Sequence, residues 1–449
     1  MKFIPNSAIK NTMLKEIGLS DIDDLFSDIP SKIRIKDIDL PDGLTQQETE
    51  NKLREIADKN KSYREVLSFI GGGIKPHYIP SVVKSISGRS EFYTAYTPYQ
   101  SEASQGFLQA MFEYQSMIAV ITGMDIANAS LYDGSTALGE AALMCTRINK
   151  RKNFVIPQNI SWEKKSILKN YTKGSNLKIK EIPFDNKTGK IDVKQLKETV
   201  DENTTGIYIE NPNFFGVFED DVNSISKIVK DNGSLFVAGI DPISLGITKS
   251  PGDYDADIVI GEGRALGNTM SFGGSNLGIF SCKKEFLRQI PGRLIGLTND
   301  KNGKRAFCMT LQTREQHIRR GRATSNICTN EGLCALAAVS YLSWLGNDGL
   351  EKLSKINFEK SQRLAKKIED IDGFKRIFSG VHFNEFVIRS SEKPAKINRK
   401  LLNMGIQGGL IIDKWFPELQ NSMLIGVSEV HSDEDIKRFI SILTEVSHV

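Results

Sequence analysis

Gly206-Ile207-Tyr208-Ile209, Ser234-Leu235-Phe236-Val237 and Ile258-Val259-Ile260 are three short apolar runs, the first two separated by a segment of helical periodicity. Upstream, Phe154-Val155-Ile156 is a further run stopped by Pro157, and Leu177 to Ile182 alternates like a strand. Trp162 to Tyr171, Asp192 to Val200 and Asp221 to Lys230 read as the helices between them. Strands alternating with helices predict an α/β fold with a mostly parallel sheet. Ligands of such a sheet belong at the carboxyl ends of its strands.

Outward from this stretch the pattern changes. Residues 1–70 are polar, with short amphipathic helices expected at Asp21 to Phe26 and Gln46 to Ala57, broken near Pro30 and Pro41. They read as an arm. Asn326 to Ile371 reads as almost wholly helical, short strands follow near Glu385 to Ile388 and Met423 to Val427, and Ser432 with Asp435 forms a capping-box-like start to a last helix. The expected division is an arm over 1–70, a large domain over 71–335 and a smaller α+β domain over 336–449.

The 449 residues carry a net charge of only +4, which gives no nucleic-acid footprint. An apolar fraction of 39% suits a globular protein. The best apolar stretch, Leu333 to Leu345, is too short to span a bilayer and reads as a buried helix. Met1 to Lys10 has no apolar core of the kind a signal peptide needs. The five cysteines have irregular spacing and no C-x-x-C pair, which points to free thiols in a reducing compartment, with the cytoplasm as the expected location. His77, His317, His382, His431 and His448 form no close pair, and Cys328 and Cys334 read as core cysteines on a helix, so no metal site is expected.

Four segments carry possible chemistry. Gly71-Gly72-Gly73 and Gly261-Glu262-Gly263-Arg264-Ala265-Leu266-Gly267 fail the P-loop and dinucleotide patterns, and each on its own reads as a turn. Asp133-Gly134-Ser135-Thr136-Ala137 precedes a helix, so Ser135 and Thr136 stand either in a phosphate cradle or in an ordinary cap. Asp241 follows a strand, where a carboxylate can hold a pyridinium nitrogen protonated, or simply makes a turn before Pro242. Glu91-Phe92-Tyr93-Thr94-Ala95-Tyr96-Thr97-Pro98-Tyr99-Gln100 crowds three tyrosines around a proline, fit to cover a planar ligand or a neighbouring chain, or to pack as a loop.

These segments occur together with His77-Tyr78-Ile79-Pro80, Leu108-Gln109-Ala110, Thr122-Gly123-Met124-Asp125, Ala127-Asn128-Ala129-Ser130, Pro212-Asn213-Phe214-Phe215-Gly216 and Ala323-Thr324-Ser325-Asn326-Ile327-Cys328-Thr329. In this order they resemble the glycine dehydrogenase (decarboxylating) subunit 1 family, the N-terminal-half subunits of the glycine cleavage system P-protein, over essentially the whole chain. The resemblance implies a fold-type I pyridoxal-phosphate transferase fold, like that of aspartate aminotransferases. It implies decarboxylation of glycine with transfer of the aminomethyl group to the lipoyl arm of H-protein, by an enzyme whose second subunit holds pyridoxal phosphate on a lysine. That lysine should follow the strand Ile258 to Ile260. Here Gly261 to Asn268 offers only Arg264, which cannot form an imine, and the nearest lysines are Lys249 and Lys283.

The chain is therefore expected to be inactive alone and to complete its partner's site. Tyr93, Tyr96, Tyr99 and Gln100 are the first candidates for that role, with His77 and Arg89 behind them, while Ser135, Thr136 and Asp241 are expected to be vestiges of a cofactor site. Glycine, the P-protein subunit 2 and lipoylated H-protein are the expected partners, in a heterodimer or heterotetramer, with no membrane. The apolar density of Phe107 to Ile121 is expected to feed the interface. Two other readings stay open: a purely structural partner subunit, and a self-sufficient fold-type I enzyme such as an amino-acid decarboxylase.

Overall fold

The computed structural model describes residues 7–35, 38–93 and 96–447; Thr94, Ala95 and His448 lie outside them. Two compact units form, Met1–Lys61 and Ser62–Val449. In the first, capping boxes formed by Asp21 with Asp24 and by Thr45 with Glu48 open the helices Ile22–Phe26 and Gln46–Ala57. The former is a 3-10 helix, since five residues are too few for α-helical bonding to propagate. No side chain of Gln46–Ala57 is buried.

The second unit is built on a seven-stranded sheet. Its strands are β1 (Ile126–Ala127), β2 (Asn153–Pro157), β3 (Lys178–Ile182), β4 (Thr204–Asn211), β5 (Leu235–Ile240), β6 (Ile258–Glu262) and β7 (Gly278–Cys282). They lie in the order β1-β7-β6-β5-β4-β2-β3. β2 to β6 pair in parallel, and β7 runs antiparallel to both β6 and β1. Side chains alternate between two cores: Ile207, Ile209, Phe236, Ala238 and Val259 pack on one face, and Tyr208, Leu235, Val237, Ile258 and Ile260 on the other. Both faces are covered, which is why these strands read as near-continuous apolar runs.

The helices are α1 (Gln105–Thr122), α2 (Gly134–Asn149), α3 (Trp162–Thr172), α4 (Val193–Thr199), α5 (Val222–Asn232), α6 (Gly332–Glu369), α7 (Pro394–Asn403) and α8 (Asp433–Ser447). α1 differs from expectation in what it does with its apolar side chains. Phe107, Leu108 and Met111 pack against Phe307 and Met309 of the hairpin Leu294–Asn299/Arg305–Thr310, and Tyr114 and Ile118 enter the main core. Most of that density is thus used inside the chain, although Val120 is 77% exposed.

α6 also starts later than the expected Asn326. The preceding segment spends its polar groups on the loop after β1: Cys328 N–H donates to the Tyr132 hydroxyl, Asn330 Nδ2 to the Ala129 carbonyl and Glu331 N–H to Ser130 Oγ. Cys328 is accordingly exposed and lies outside the helix, contrary to the core position expected of it, while Cys334 is on α6. A four-stranded antiparallel sheet completes the unit, made of β8 (Phe374–Arg376), β9 (Glu385–Ser390), β10 (Leu410–Ile411) and β11 (Ser422–Gly426) in the order β8-β9-β11-β10. Ile70 bridges Ile425 of β11, which brings Gly71 to His77 onto this sheet and toward the central one. Ser432 and Asp435 exchange backbone-to-side-chain bonds at the start of α8 as their spacing predicts.

Candidate functional site

The carboxyl ends of β4, β5 and β6 face the start of α2, and Gly72 to His77 and the start of β9 close the space between them. The result is a cavity of about 360 Å³. His77, Ser135 and Asp241 line it, together with Lys75, Glu262 and Arg264. Strand β5 runs to Ile240, so Asp241 is the first residue beyond it, with its Oδ1 accepting from Ile243 N–H at 2.9 Å. Thr136 does not line the cavity. Its N–H donates to Asp133 Oδ1 at 2.7 Å and its Oγ1 accepts from Asp133 N–H, so it closes a capping box.

Arg264 follows β6, where fold-type I enzymes place their lysine. It is only 2% exposed; its guanidinium donates to the Lys75 carbonyl at 3.2 Å, and its Nε has no partner. Burial lowers its pKa against the opposing pull of Glu262 and Asp241. Two lysines do reach the cavity, from elsewhere in the chain. Lys75 pairs with Glu385 at 3.2 Å, and Lys164 pairs with Glu210, whose carboxylate also accepts from the Tyr208 hydroxyl at 2.6 Å.

These residues do not fit pyridoxal phosphate. Its phosphate needs the free N–H groups at the start of α2. Glu262 Oε2 accepts from Gly134 N–H at 3.1 Å, and its Oε1 accepts from Arg264 N–H at 2.9 Å and Leu277 N–H at 3.0 Å. Asp133 takes the Thr136 N–H. Burial raises the Glu262 pKa against those three donors, and its carboxyl takes one N–H, that of Gly134, at the start of α2. Sequence reasoning missed Glu262, which stood in a segment read as a turn and for its missing lysine. It also missed Lys75, Asn384 and Glu385, which reach the cavity through contacts distant in sequence.

The tyrosine stretch lies apart from this cavity. Tyr93, Tyr96 and Tyr99 are 68%, 78% and 56% exposed, and Gln100 is exposed too. Arg89 is an exposed side chain paired with Glu91 at 2.7 Å. Beneath the loop, buried Arg293 donates to Thr97 Oγ1 at 3.1 Å and sits 5.7 Å from the centre of the Tyr99 ring. The expected site residues thus divide into a buried group around His77 and Asp241 and an outward-facing group around Tyr96. Among the described residues no set of three metal-ligating side chains converges, and no helix is long and apolar enough to cross a membrane.

The chain is 47% identical over 446 residues to the probable glycine dehydrogenase (decarboxylating) subunit 1 of Thermococcus kodakarensis, covering 99% of this chain and 98% of that one. It is 46% identical to the protein of the same name from Chloroherpeton thalassium, covering 99% and 100%. A crystal structure of glycine decarboxylase, the P-protein of the glycine cleavage system, in inhibitor-bound form superposes with a TM-score of 0.91 at 37% identity, covering 99% of this chain and all of that one. A Burkholderia pseudomallei sphingosine-1-phosphate lyase, at a TM-score of 0.68 and 13% identity over 93% and 94% of the two chains, shares the fold-type I architecture. The glycine cleavage system P-protein family matches residues 1–443, and with the relatives aligned end to end this chain belongs to that family.

Proposed function

We propose that this chain is the cofactor-free subunit 1 of a two-subunit glycine dehydrogenase (decarboxylating). On this reading pyridoxal phosphate is carried by subunit 2, which decarboxylates glycine and passes the aminomethyl group to the lipoyl arm of H-protein. The observation that carries the reading is the pair Glu262 and Arg264: one takes the Gly134 N–H at the start of α2 and the other stands in place of the lysine. A planar guanidinium that stays protonated cannot form the imine, so this chain contributes surface and not the covalent anchor.

The exposed Tyr93, Tyr96, Tyr99 and Gln100 are the residues we assign to the partner's site, with Arg89 at their edge. A tyrosine side chain left more than half exposed offers ring area and a directed hydroxyl to a neighbouring chain. Ser135, Thr136 and Asp241 are then remnants of a cofactor site. The division into an arm, a large domain and a small domain belongs to the same reading, with the small domain formed around β8 to β11. Borohydride reduction of the two-subunit enzyme, followed by digestion, tests the assignment. The pyridoxyl-lysine peptide should come from the partner alone; such a peptide from this chain, with glycine-dependent CO2 release by it alone, would favour the self-sufficient enzyme.

A further inference from the structure

The cavity beside Arg264 has polar groups left over after its internal bonds are made. Of its carboxylates, Glu262 is held by three backbone N–H groups, Glu385 by Gly72 N–H, Gly73 N–H and Lys75, and Glu210 by Tyr208 and Lys164. Asp133 caps α2. Apart from the exposed Glu163 and the Ser135 hydroxyl, what remains is Arg264, 2% exposed and without an ion pair, the Nδ2 of Asn384, also 2% exposed, the Oδ1 of Asn276, and one oxygen of Asp241. All four side chains line the one cavity. Arg264 Nε, Asn384 Nδ2 and Asn276 Oδ1 are buried without partners, which is uncommon and costly, while Asp241 is half-buried.

The character of the missing ligand follows from charge. Six carboxylates line the cavity against Lys75, Lys164 and Arg264, so a dianionic phosphate is repelled. A lone cation would leave the Arg264 guanidinium and the Asn384 amide unsatisfied. One compact carboxylate to take those two donors, joined to one ammonium to meet Asp241 and Asn276, satisfies both ends. A volume of about 360 Å³ is at the small end of small-molecule sites.

We propose that this cavity is a binding site for a small zwitterionic α-amino acid, its carboxylate on Arg264 and Asn384 and its ammonium on Asp241 and Asn276. The fold would thus keep, in the subunit without cofactor, a non-catalytic pocket for the chemical class that its partner decarboxylates. The inference rests on the reading that pyridoxal phosphate stays out of this chain.

Calorimetric titration of the full-length chain with glycine, L-alanine, L-serine, inorganic phosphate and pyridoxal phosphate tests it. At least one amino acid should saturate with one molecule per chain, and phosphate should not compete. Arg264→Gln should weaken that binding at least about tenfold, the worth of one charge-assisted contact. Asn384→Ala should weaken it by a smaller factor, and circular dichroism establishes that each variant is folded. If Arg264→Gln does not fold, Asn384→Ala decides. Absence of saturable binding of all three amino acids, or equal binding by the folded variants, would overturn the proposal. Saturable uptake of pyridoxal phosphate with a reducible imine would instead overturn the reading of this chain as cofactor-free, and the amino-acid titration reads out separately from it.

Discussion

The carboxylate of Glu429 accepts a hydrogen bond from His77 Nδ1 at 3.0 Å, across 352 positions of sequence. The same carboxylate accepts from Tyr78 N–H at 2.7 Å and from Asn357 Nδ2 at 3.0 Å, so one side chain ties the segment before the first core helix to α6 and to the loop before α8. It fixes the His77 ring at the cavity wall.

Removing that carboxylate strands the buried His77 and Asn357 donors and the Tyr78 N–H. Glu429→Ala is expected to cost about 3 kcal/mol of unfolding free energy, read from urea midpoints. Burial by itself would raise the Glu429 pKa, but the charge and hydrogen bond of His77, with Tyr78 N–H, hold it at about 2 against an ordinary 4.5. A folded-state value below the unfolded one means that this stabilisation is present above pH 4.5 and lost as pH falls toward 2. The urea midpoint of the wild type should therefore drop on acidification below that value, and Glu429→Gln should show a shallower drop.

Glu219 has the opposite sign. It is buried, accepts from Ile191 N–H and from Asn213 Nδ2 at 3.1 Å, and burial pushes its pKa up to about 7 against those donors. Here the folded state holds a proton that the unfolded chain has released, so stability falls as pH rises from 4.5 to about 7 and is flat beyond. The loss is on the order of 3 kcal/mol. Glu219→Gln should be more stable than the wild type at pH 8 by a similar margin; thermal melts at that pH that coincide would show that the carboxyl is not strained by burial.

Gly216 has φ +81, and a Cβ built on it would lie 1.9 Å from the carbonyl oxygen of Glu385. Its own carbonyl accepts from Phe383 N–H at 2.8 Å, so the Asn213 to Gly216 turn is pressed against the start of β9. The obstacle is backbone, which cannot step aside as a side chain can. Gly216→Ala should cost more than about 3 kcal/mol and appear as a large fall in melting temperature or as insoluble protein.

The exposed tyrosines separate assembly from chemistry. Tyr96 is 78% exposed, so Tyr96→Phe should leave the melting temperature of this chain unchanged. In the assembled enzyme the lost hydroxyl is expected to lower glycine decarboxylation on the order of 100-fold. Wild-type turnover in the Phe variants of Tyr93, Tyr96 and Tyr99 would remove the loop from the mechanism and favour a purely structural subunit.

The parallel sheet was legible because both faces of β4, β5 and β6 are buried, and burial on two sides writes an unbroken apolar run into sequence. Arg264 could be placed just beyond β6 because the run Ile258 to Ile260 located that strand, while the expectation of a lysine there came from the family resemblance. Glu262 was not legible, since its role depends on Gly134, 128 positions earlier. Glu429 was not either; a carboxylate between Ser428 and Val430 carries no local sign of a histidine that only folding brings to it. The late start of α6 escaped notice because the segment before it is satisfied by Tyr132, Ala129 and Ser130, and such bonds have no periodicity.

The hydrogen bond from Gly134 N–H to Glu262 also bears on how this subunit can change over generations. Arg264→Lys on its own would restore an amine but leave a buried carboxyl on Gly134 N–H, and a phosphate would still find its place taken. Exchange of Glu262 on its own would free the helix but uncover three buried N–H groups with no cofactor able to anchor there. On the reading proposed above, the two positions are therefore coupled: an exchange at either one alone leaves a site that neither anchors a cofactor nor satisfies its own backbone donors.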